Sequence, residues 1–234
     1  MAKSARASYN KKKKGNNKIL LFLFPIILIV LIGLIAVLDN ESSEVGQEQA
    51  QSILGSVSLE GQPVLGPADA KVTVIKFGDY NCGACAQWDT MIFDQLKADY
   101  VDTGLIKYTS MNFPFLRPSS FTASYASEAV FAADPEGFWD FHHALFVNQG
   151  AWDTAEDLVE LAKIAAPNVN ADELKQNIDN ATYKAQVDTD IDLGTQAKVE
   201  GTPAIFVNGK MTGADYLDYD ALKKLIDQEL AAAE

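Results

Sequence analysis

The hydrophobic pattern of this chain predicts an α/β domain with an all-helical insertion, preceded by one N-terminal transmembrane helix. Three observations carry that expectation. Short β-branched runs at residues 71–77 (KVTVIKF), 106–113 (IKYTSMNF) and 204–207 (AIFV) read as strands. Between the second and third, residues 119–198 hold only helical spacings. Near the start, residues 19–38 form a run of twenty without a charge.

Residues 1–18 contain Lys3, Arg6, Lys11, Lys12, Lys13, Lys14 and Lys18 and no acid. The uncharged run that follows is about 30 Å long as a helix, enough to cross a bilayer core. It is longer than the roughly 7 to 15 apolar residues of a cleavable signal peptide, and no small-x-small cleavage site follows it. Pro25 lies near its start, where the freed backbone groups can be re-satisfied locally. Seven cations before the span, and Asp39, Glu41 and Glu44 after it, place the N-terminus in the cytoplasm and the remainder outside. The expected layout is a basic tail (1–18), an uncleaved anchor (19–38), a polar linker (39–58) and one extracytoplasmic domain (59–234).

In that domain the first strand ends at Gly78 and Asp79, and a helical pattern begins at Cys82 with Cys85, Trp88, Met91, Ile92 and Leu96 on one side. The second strand runs into the turn residues 114–118. The insertion reads as helices over 119–133, around Phe138, Phe141, His142, Leu145 and Phe146, from Thr154 through Leu158, Leu161 and Ile164, around Leu174 and Ile178, and around Tyr183, Val187 and Ile191. Thr154 with Asp157 forms a capping-box pattern. Asn208 and Gly209 make a hairpin turn from the third strand to residues 210–212, and Leu222, Leu225, Ile226 and Leu230 mark a last helix.

Charge narrows the partners. The chain has 19 Lys and Arg against 32 Asp and Glu; with the seven N-terminal cations set aside, 12 remain and the outer part is net −20. Nucleic acid and anionic lipid are poor partners for such a surface.

The only two cysteines, Cys82 and Cys85, enclose Gly83 and Ala84 at a strand-to-helix junction. So short a loop gains little as a structural disulfide. In the first turn of a helix, residues three apart share a face, so the sulfurs can bond and separate with little backbone movement. Unpaired amide hydrogens and the positive end of the helix dipole favour a thiolate at Cys82, the expected nucleophile, with Cys85 to resolve the mixed disulfide. The exported side is oxidising, where paired thiols persist as disulfides. A zinc site would need His142 and His143 beside both cysteines, but adjacent residues point to different sides of a helix. His142, among Phe138, Phe141 and Phe146, reads as a satisfied core histidine.

The stretches GPADAKVTVIKFGDYNCGAC, FWDFHHALF and VEGTPAIFVNG resemble the DsbA-type thiol:disulfide oxidoreductases, and in particular their membrane-anchored Gram-positive members. The resemblance covers residues 59–234 and implies a thioredoxin-like fold with the helical insertion at about 119–198. It implies a cis bond between Thr202 and Pro203 beside the sulfurs, with Thr202 pairing with an extended substrate chain. It implies no cofactor beyond the Cys82–Cys85 disulfide and no metal. The substrates would be reduced exported proteins, and a quinone-linked membrane protein would re-oxidise the enzyme. Relatives often carry Pro and then His or Tyr between the cysteines, where this chain has Gly83 and Ala84, so the direction of electron flow stays open. Lys76 stands where relatives often have an acid; it either lies under the sulfurs and favours the Cys82 thiolate, or is a solvated strand end. A disulfide oxidase is the leading expectation. A reductase or isomerase supplied across the membrane, and a binding or chaperone module with an idle disulfide, are the alternatives.

Overall fold

The computed structural model describes residues 48–213 and 215–233, together with residues 28, 34 and 46. The chain divides into two units, Met1–Glu44 and Val45–Glu234. In the first, Leu28 and Leu34 are helical and exposed. The basic tail and the rest of the expected membrane span lie outside the described residues. Among the described residues no helix is long and apolar enough to cross a membrane.

The second unit is built on five strands: β1 (Val64–Leu65), β2 (Val72–Gly78), β3 (Ile106–Asn112), β4 (Ala204–Val207) and β5 (Lys210–Met211). Their order in the sheet is β1-β3-β2-β4-β5, with β2 and β3 parallel and the other pairings antiparallel. A parallel pair needs a crossover. Helix α2 supplies it, running from Gly83–Trp88 through π turns at Asp89–Phe93 and Lys97–Val101, with a short α turn at Asp94–Leu96 between them.

The insertion comprises α3 (Pro118–Ala133), α4 (Phe138–Val147), α5 (Ala155–Ala165), α6 (Ala171–Asp179) and α7 (Lys184–Gln196), and α8 (Tyr219–Ala232) ends the fold. Each replaces a helical pattern of the sequence nearly residue for residue. Thr154 caps α5 in a full capping box: its side chain accepts from Asp157 N–H, and Asp157 accepts from the Thr154 backbone.

Strand alternation divides the core. Val72 and Val74 face α2 and α8, packing with Trp88, Ile92, Leu96, Leu222 and Ile226. Ile75 and Phe77 face the other way, with Phe206 edge-on to Phe77 at 5.9 Å between ring centres. That second face is covered partly by helix α1 (48–54), within the stretch expected to be a polar linker. Ala50 and Leu54 are buried in it, and Ile53 and Val57 pack alongside. These four lie at helical spacing, but glutamines and serines between them hide the stripe from a composition-based reading. Strand β1 was also unforeseen; two residues are too few to show a period.

Helix α7 reaches the same face through Gly194. A Cβ there would lie 2.7 Å from Phe113 Cδ2 and Cε2 and 3.1 Å from Phe77 Cδ1. One turn earlier Asp190 points inward, not to solvent. Its Oδ2 accepts from the Asn112 backbone at 2.8 Å and its Oδ1 from Gln62 at 2.7 Å, while Glu128 Oε1 on α3 accepts from Asn112 Nδ2 at 2.7 Å. Burial pushes Glu128 up to about 8, helped by the Asp190 charge, and Asp190 up to about 6.

Two outcomes are expected. Gly194→Ala should lower the unfolding free energy by about 1–3 kcal/mol through overpacking, read by denaturant titration, although alanine is the better helix former. Because Glu128 and Asp190 hold protons in the folded state above the usual unfolded values of about 4.3 and 3.9, the unfolded state binds fewer protons as pH rises. Their contribution to stability is therefore present at low pH and is lost as pH rises through about 6 and then about 8. Glu128→Gln, which keeps the acceptor for Asn112, should flatten the upper part of that decline in thermal melts taken across pH.

Candidate functional site

The turn from β2 into α2 is held by its own Asp79 and Asn81 and by groups from two other places in the chain, residues 115–120 and Gln149. Asp79, fully buried, accepts from Asn81 N–H at 2.8 Å and from the N–H groups of Phe115 and Leu116 at 2.9 and 3.0 Å. Asn81 donates to Ser120 at 3.1 Å. Gln149, from the loop after α4, donates its side-chain amide to the carbonyls of Tyr80 at 2.8 Å and Cys82 at 2.9 Å. The Gln149 bonds span 69 and 67 residues and have no local signal in the sequence.

Cys82 is thereby placed as the N-cap of α2, with φ −82° and ψ 116°. An N-cap side chain faces the free N–H groups of the next two or three residues. Cys82 is partly exposed and Cys85 buried, and here both are free thiols. The Cys82 thiol donates to the Thr202 carbonyl at 3.2 Å, and the Thr202–Pro203 bond is cis. The Thr202 hydroxyl is buried and has no other hydrogen-bond partner, so it can turn to donate once Cys82 is a thiolate.

These groups separate the two thiols electrostatically. The Cys85 thiol, donating to the Cys82 sulfur, is the largest cause that brings Cys82 down to about 5; Thr202 and the backbone N–H groups of Cys85 and Ala84 add to it against partial burial. Burial and the same sulfur–sulfur contact push Cys85 well up. An ionised outer sulfur beside a protonated inner one is the arrangement thiol–disulfide exchange requires of a dithiol.

Lys76 is a buried residue, which removes the solvated-end reading. It lies on β2 in line with Val72 and Val74, so alternation alone turns it toward α2. Its Nζ is over the rings of Trp88 at 4.9 Å and Phe146 at 4.5 Å and has no hydrogen-bond partner. Burial lowers its pKa, and the charges of Asp89, Cys85 and Cys82 oppose the fall in that order. The ammonium therefore acts first on Asp89 and, of the two sulfurs, more on Cys85 than on Cys82, so the expectation that it favours the Cys82 thiolate directly needs that correction.

His142 is buried with Nδ1 at 2.7 Å from Tyr80 Oη, while His143 is half exposed with Nδ1 at 2.6 Å from Asp89 Oδ2. Both histidines flank Asp89, His143 in hydrogen-bond contact and His142 with its Nε2 4.0 Å from Oδ1, while His142 alone also meets Tyr80. Among the described residues no three His, Cys, Asp or Glu side chains converge as a metal set.

Comparison with known proteins agrees with this geometry. A thioredoxin family model, Thioredoxin_4, matches residues 58–228. Disulfide bond formation protein D of Bacillus subtilis (strain 168) is 38% identical over 195 residues, spanning 82% of this chain and 86% of that one. Its probable counterpart in Bacillus cereus is 32% identical over 212 residues, spanning 88% and 94%. The crystal structure of oxidised BdbD from Bacillus subtilis superposes with a TM-score of 0.71 at 40% identity, over 74% of this chain and 95% of that one. The chain belongs to the DsbA-type thiol:disulfide oxidoreductases.

Membership makes it a protein thiol:disulfide oxidoreductase with a thioredoxin-like fold and helical insertion, working through a cysteine redox pair. Cys82 and Cys85 are the only cysteines this DsbA-type chain has. The fold is shared more widely: Chlamydia trachomatis DsbA superposes at TM-score 0.68 with 23% identity, over 76% of this chain and 94% of that one. Sequence reasoning missed Asp79, Asp89 and Gln149 among the residues around the pair. Of these only Asp79 had a visible cue, as a turn residue between a strand and the first cysteine.

Titrating the reduced protein by thiolate absorbance should show Cys82 ionising near 5. Cys85→Ala removes its largest stabilising partner and should raise that value by about 1–2 units, the worth of a charge-assisted hydrogen bond.

Proposed function

We propose that this protein is a membrane-anchored extracytoplasmic disulfide oxidase that passes its Cys82–Cys85 disulfide to reduced cysteines of exported proteins. The depression of Cys82 to about 5 carries the reading. A stabilised thiolate favours the reduced enzyme, and a dithiol that is stable when reduced makes an oxidising disulfide. The relatives in Bacillus, disulfide bond formation proteins D, support the same direction.

A substrate thiolate attacks Cys82 Sγ, forming a mixed disulfide as the Cys82–Cys85 bond breaks and its electron pair leaves on Cys85. A second substrate thiolate then attacks the substrate sulfur, forms the substrate disulfide and releases Cys82 as a thiolate. The enzyme gains two electrons and the substrate loses two. The Thr202 carbonyl, 3.2 Å from Cys82 Sγ, and Pro203 beside it lie where an extended substrate chain would run. Gly83 is exposed with open space around it, leaving the Cys82 sulfur accessible to another protein.

The basic segment 1–18 and uncharged segment 19–38 support a single-pass anchor with the N-terminus in the cytoplasm. Tethering would keep the enzyme near a quinone-linked membrane protein that restores its disulfide, by raising their effective concentration.

Equilibrium of the full chain with glutathione tests the direction. A potential near about −120 mV is expected, whereas one near about −270 mV overturns the oxidase reading in favour of a reductase. Cys82→Ala should abolish oxidation of a reduced, unfolded protein; unchanged folding of that substrate in the presence of the variant would instead favour a binding role. In intact cells, external protease should digest residues 59–234 and spare the N-terminal tail.

A further inference from the structure

Gln149 belongs to the helical insertion, yet its side chain is committed to the backbone that carries Cys82. Its amide nitrogen gives both hydrogens to the turn, one to the Tyr80 carbonyl at 2.8 Å and one to the Cys82 carbonyl at 2.9 Å. The Cys82 carbonyl also accepts the first helical bond, from Ala86 N–H at 3.1 Å, and the Cys82 N–H donates to the Asp79 carbonyl at 2.9 Å. The main chain is therefore held on both sides of the Cys82 Cα.

The loop that presents Gln149 is itself fixed. Asn148 ends α4 and donates its side-chain amide to the Ala144 carbonyl at 2.8 Å, and the buried Trp152 donates its indole N–H to the Leu145 carbonyl at 2.9 Å. Between them Gly150 takes φ +83°, a left-handed turn that glycine enters without strain. The donor thus arrives already oriented. What it orients is the peptide between Cys82 and Gly83, whose rotation, set by the Cys82 ψ of 116°, decides where the following N–H groups lie around the sulfur. The Cys85 thiol is the first cause of the low Cys82 value, and it reaches the sulfur through the same backbone turn as the Cys85 and Ala84 N–H groups.

We propose that Gln149 is a positioning residue for the redox pair: by holding the Tyr80 and Cys82 carbonyls it keeps the Cys82 sulfur on the Ala84 and Cys85 N–H groups, and so sets how oxidising the disulfide is. The inference rests on Cys82 and Cys85 being that pair. Both acceptors are main-chain groups, so the bonds need not break when the sulfur changes partner. Only the reduced enzyme carries a thiolate at Cys82 to gain from the N–H groups, so support of this geometry favours the reduced form and makes the disulfide a stronger oxidant. An amide suits the task. Lysine or arginine would give the same bonds with a cation beside the thiolate, and an ionised glutamate would give none.

The detergent-solubilised full chain, titrated by thiolate absorbance and equilibrated with glutathione at neutral pH, tests this. Gln149→Met and Gln149→Leu remove both donors with side chains of different shape. Leu174→Ala is the reference for loosening alone: it opens a cavity in the apolar core that the insertion shares with Tyr80 and Cys85, and it leaves both bonds in place. Each Gln149 variant should raise the Cys82 titration from about 5 to about 6. Each should also move the glutathione equilibrium about tenfold toward the oxidised enzyme, a potential about 30 mV lower. Leu174→Ala should lower the melting temperature and move neither. An unmoved titration or an unmoved equilibrium in either folded Gln149 variant overturns the proposal. So does a shift in Leu174→Ala as large as that in Gln149→Met, since loosening of the insertion would then account for both. Failure of the underlying reading looks different: the unaltered protein would then reach no equilibrium with glutathione at all.

Discussion

The site depends on one constraint: Cys82 must occupy the N-cap of α2, where its sulfur replaces the oxygen that usually meets the free N–H groups of a helix start. Much of what makes the pair asymmetric follows from that placement. The same turn that aims the Ala84 and Cys85 N–H groups at Cys82 carries Cys85 one turn deeper, into the core. Both thiols therefore sit within one helical turn in opposite environments. Partial exposure keeps the outer sulfur available, and burial keeps the inner one protonated.

Such a turn does not hold itself. It carries Asp79 with three backbone N–H groups gathered on its carboxylate, two of them from the segment that leads from β3 into the insertion. Gln149 closes the other side by binding the carbonyls of Tyr80 and Cys82 from the loop after α4. The insertion is thus part of the redox site. Its apolar core includes Tyr80 and Cys85 themselves, packed with Phe141, Leu145 and Phe146. A change in how the insertion packs would reach the sulfurs through these contacts.

Most of the fold was legible in the sequence because its elements are long and periodic. The five helices of the insertion, strands β2, β3 and β4, the helix that begins at the cysteines and the final hairpin all show in spacing alone, whereas the parallel pairing of β2 with β3 does not. The elements that did not show are the ones with too little sequence to carry a period: β1 has two residues, and α1 offers three small or aliphatic positions among polar ones. The candidate site divides along the same line. Cys82 and Cys85 stood out because a strand and a helix pattern flank them, and Thr202 and Pro203 through the resemblance to the DsbA-type family. Asp89 and His143, 54 residues apart, and Gln149 with its carbonyls meet only through tertiary packing. Lys76 is the intermediate case. The sequence left it equally open to a place under the sulfurs and to a solvated strand end, and its alternation with Val72 and Val74 on β2 decides for the buried side.

Gly83 and Ala84 take on a different meaning once the buried side of the pair is known. A Cβ at Gly83 would meet nothing within 4 Å, so packing does not demand glycine there. A larger residue would fit, and it would sit on the solvent side of Cys82. High dielectric weakens any charge placed on that side, whereas Lys76 and Asp89 act through the apolar interior, where the same charge counts for more. In this chain the residues between the cysteines therefore govern access to the outer sulfur. The electrostatic asymmetry comes from the helix start above the pair and from the buried ion set beneath it. A dithiol of this design can dispense with a polar residue between its cysteines, because the charge that acts on Cys85 reaches it from β2.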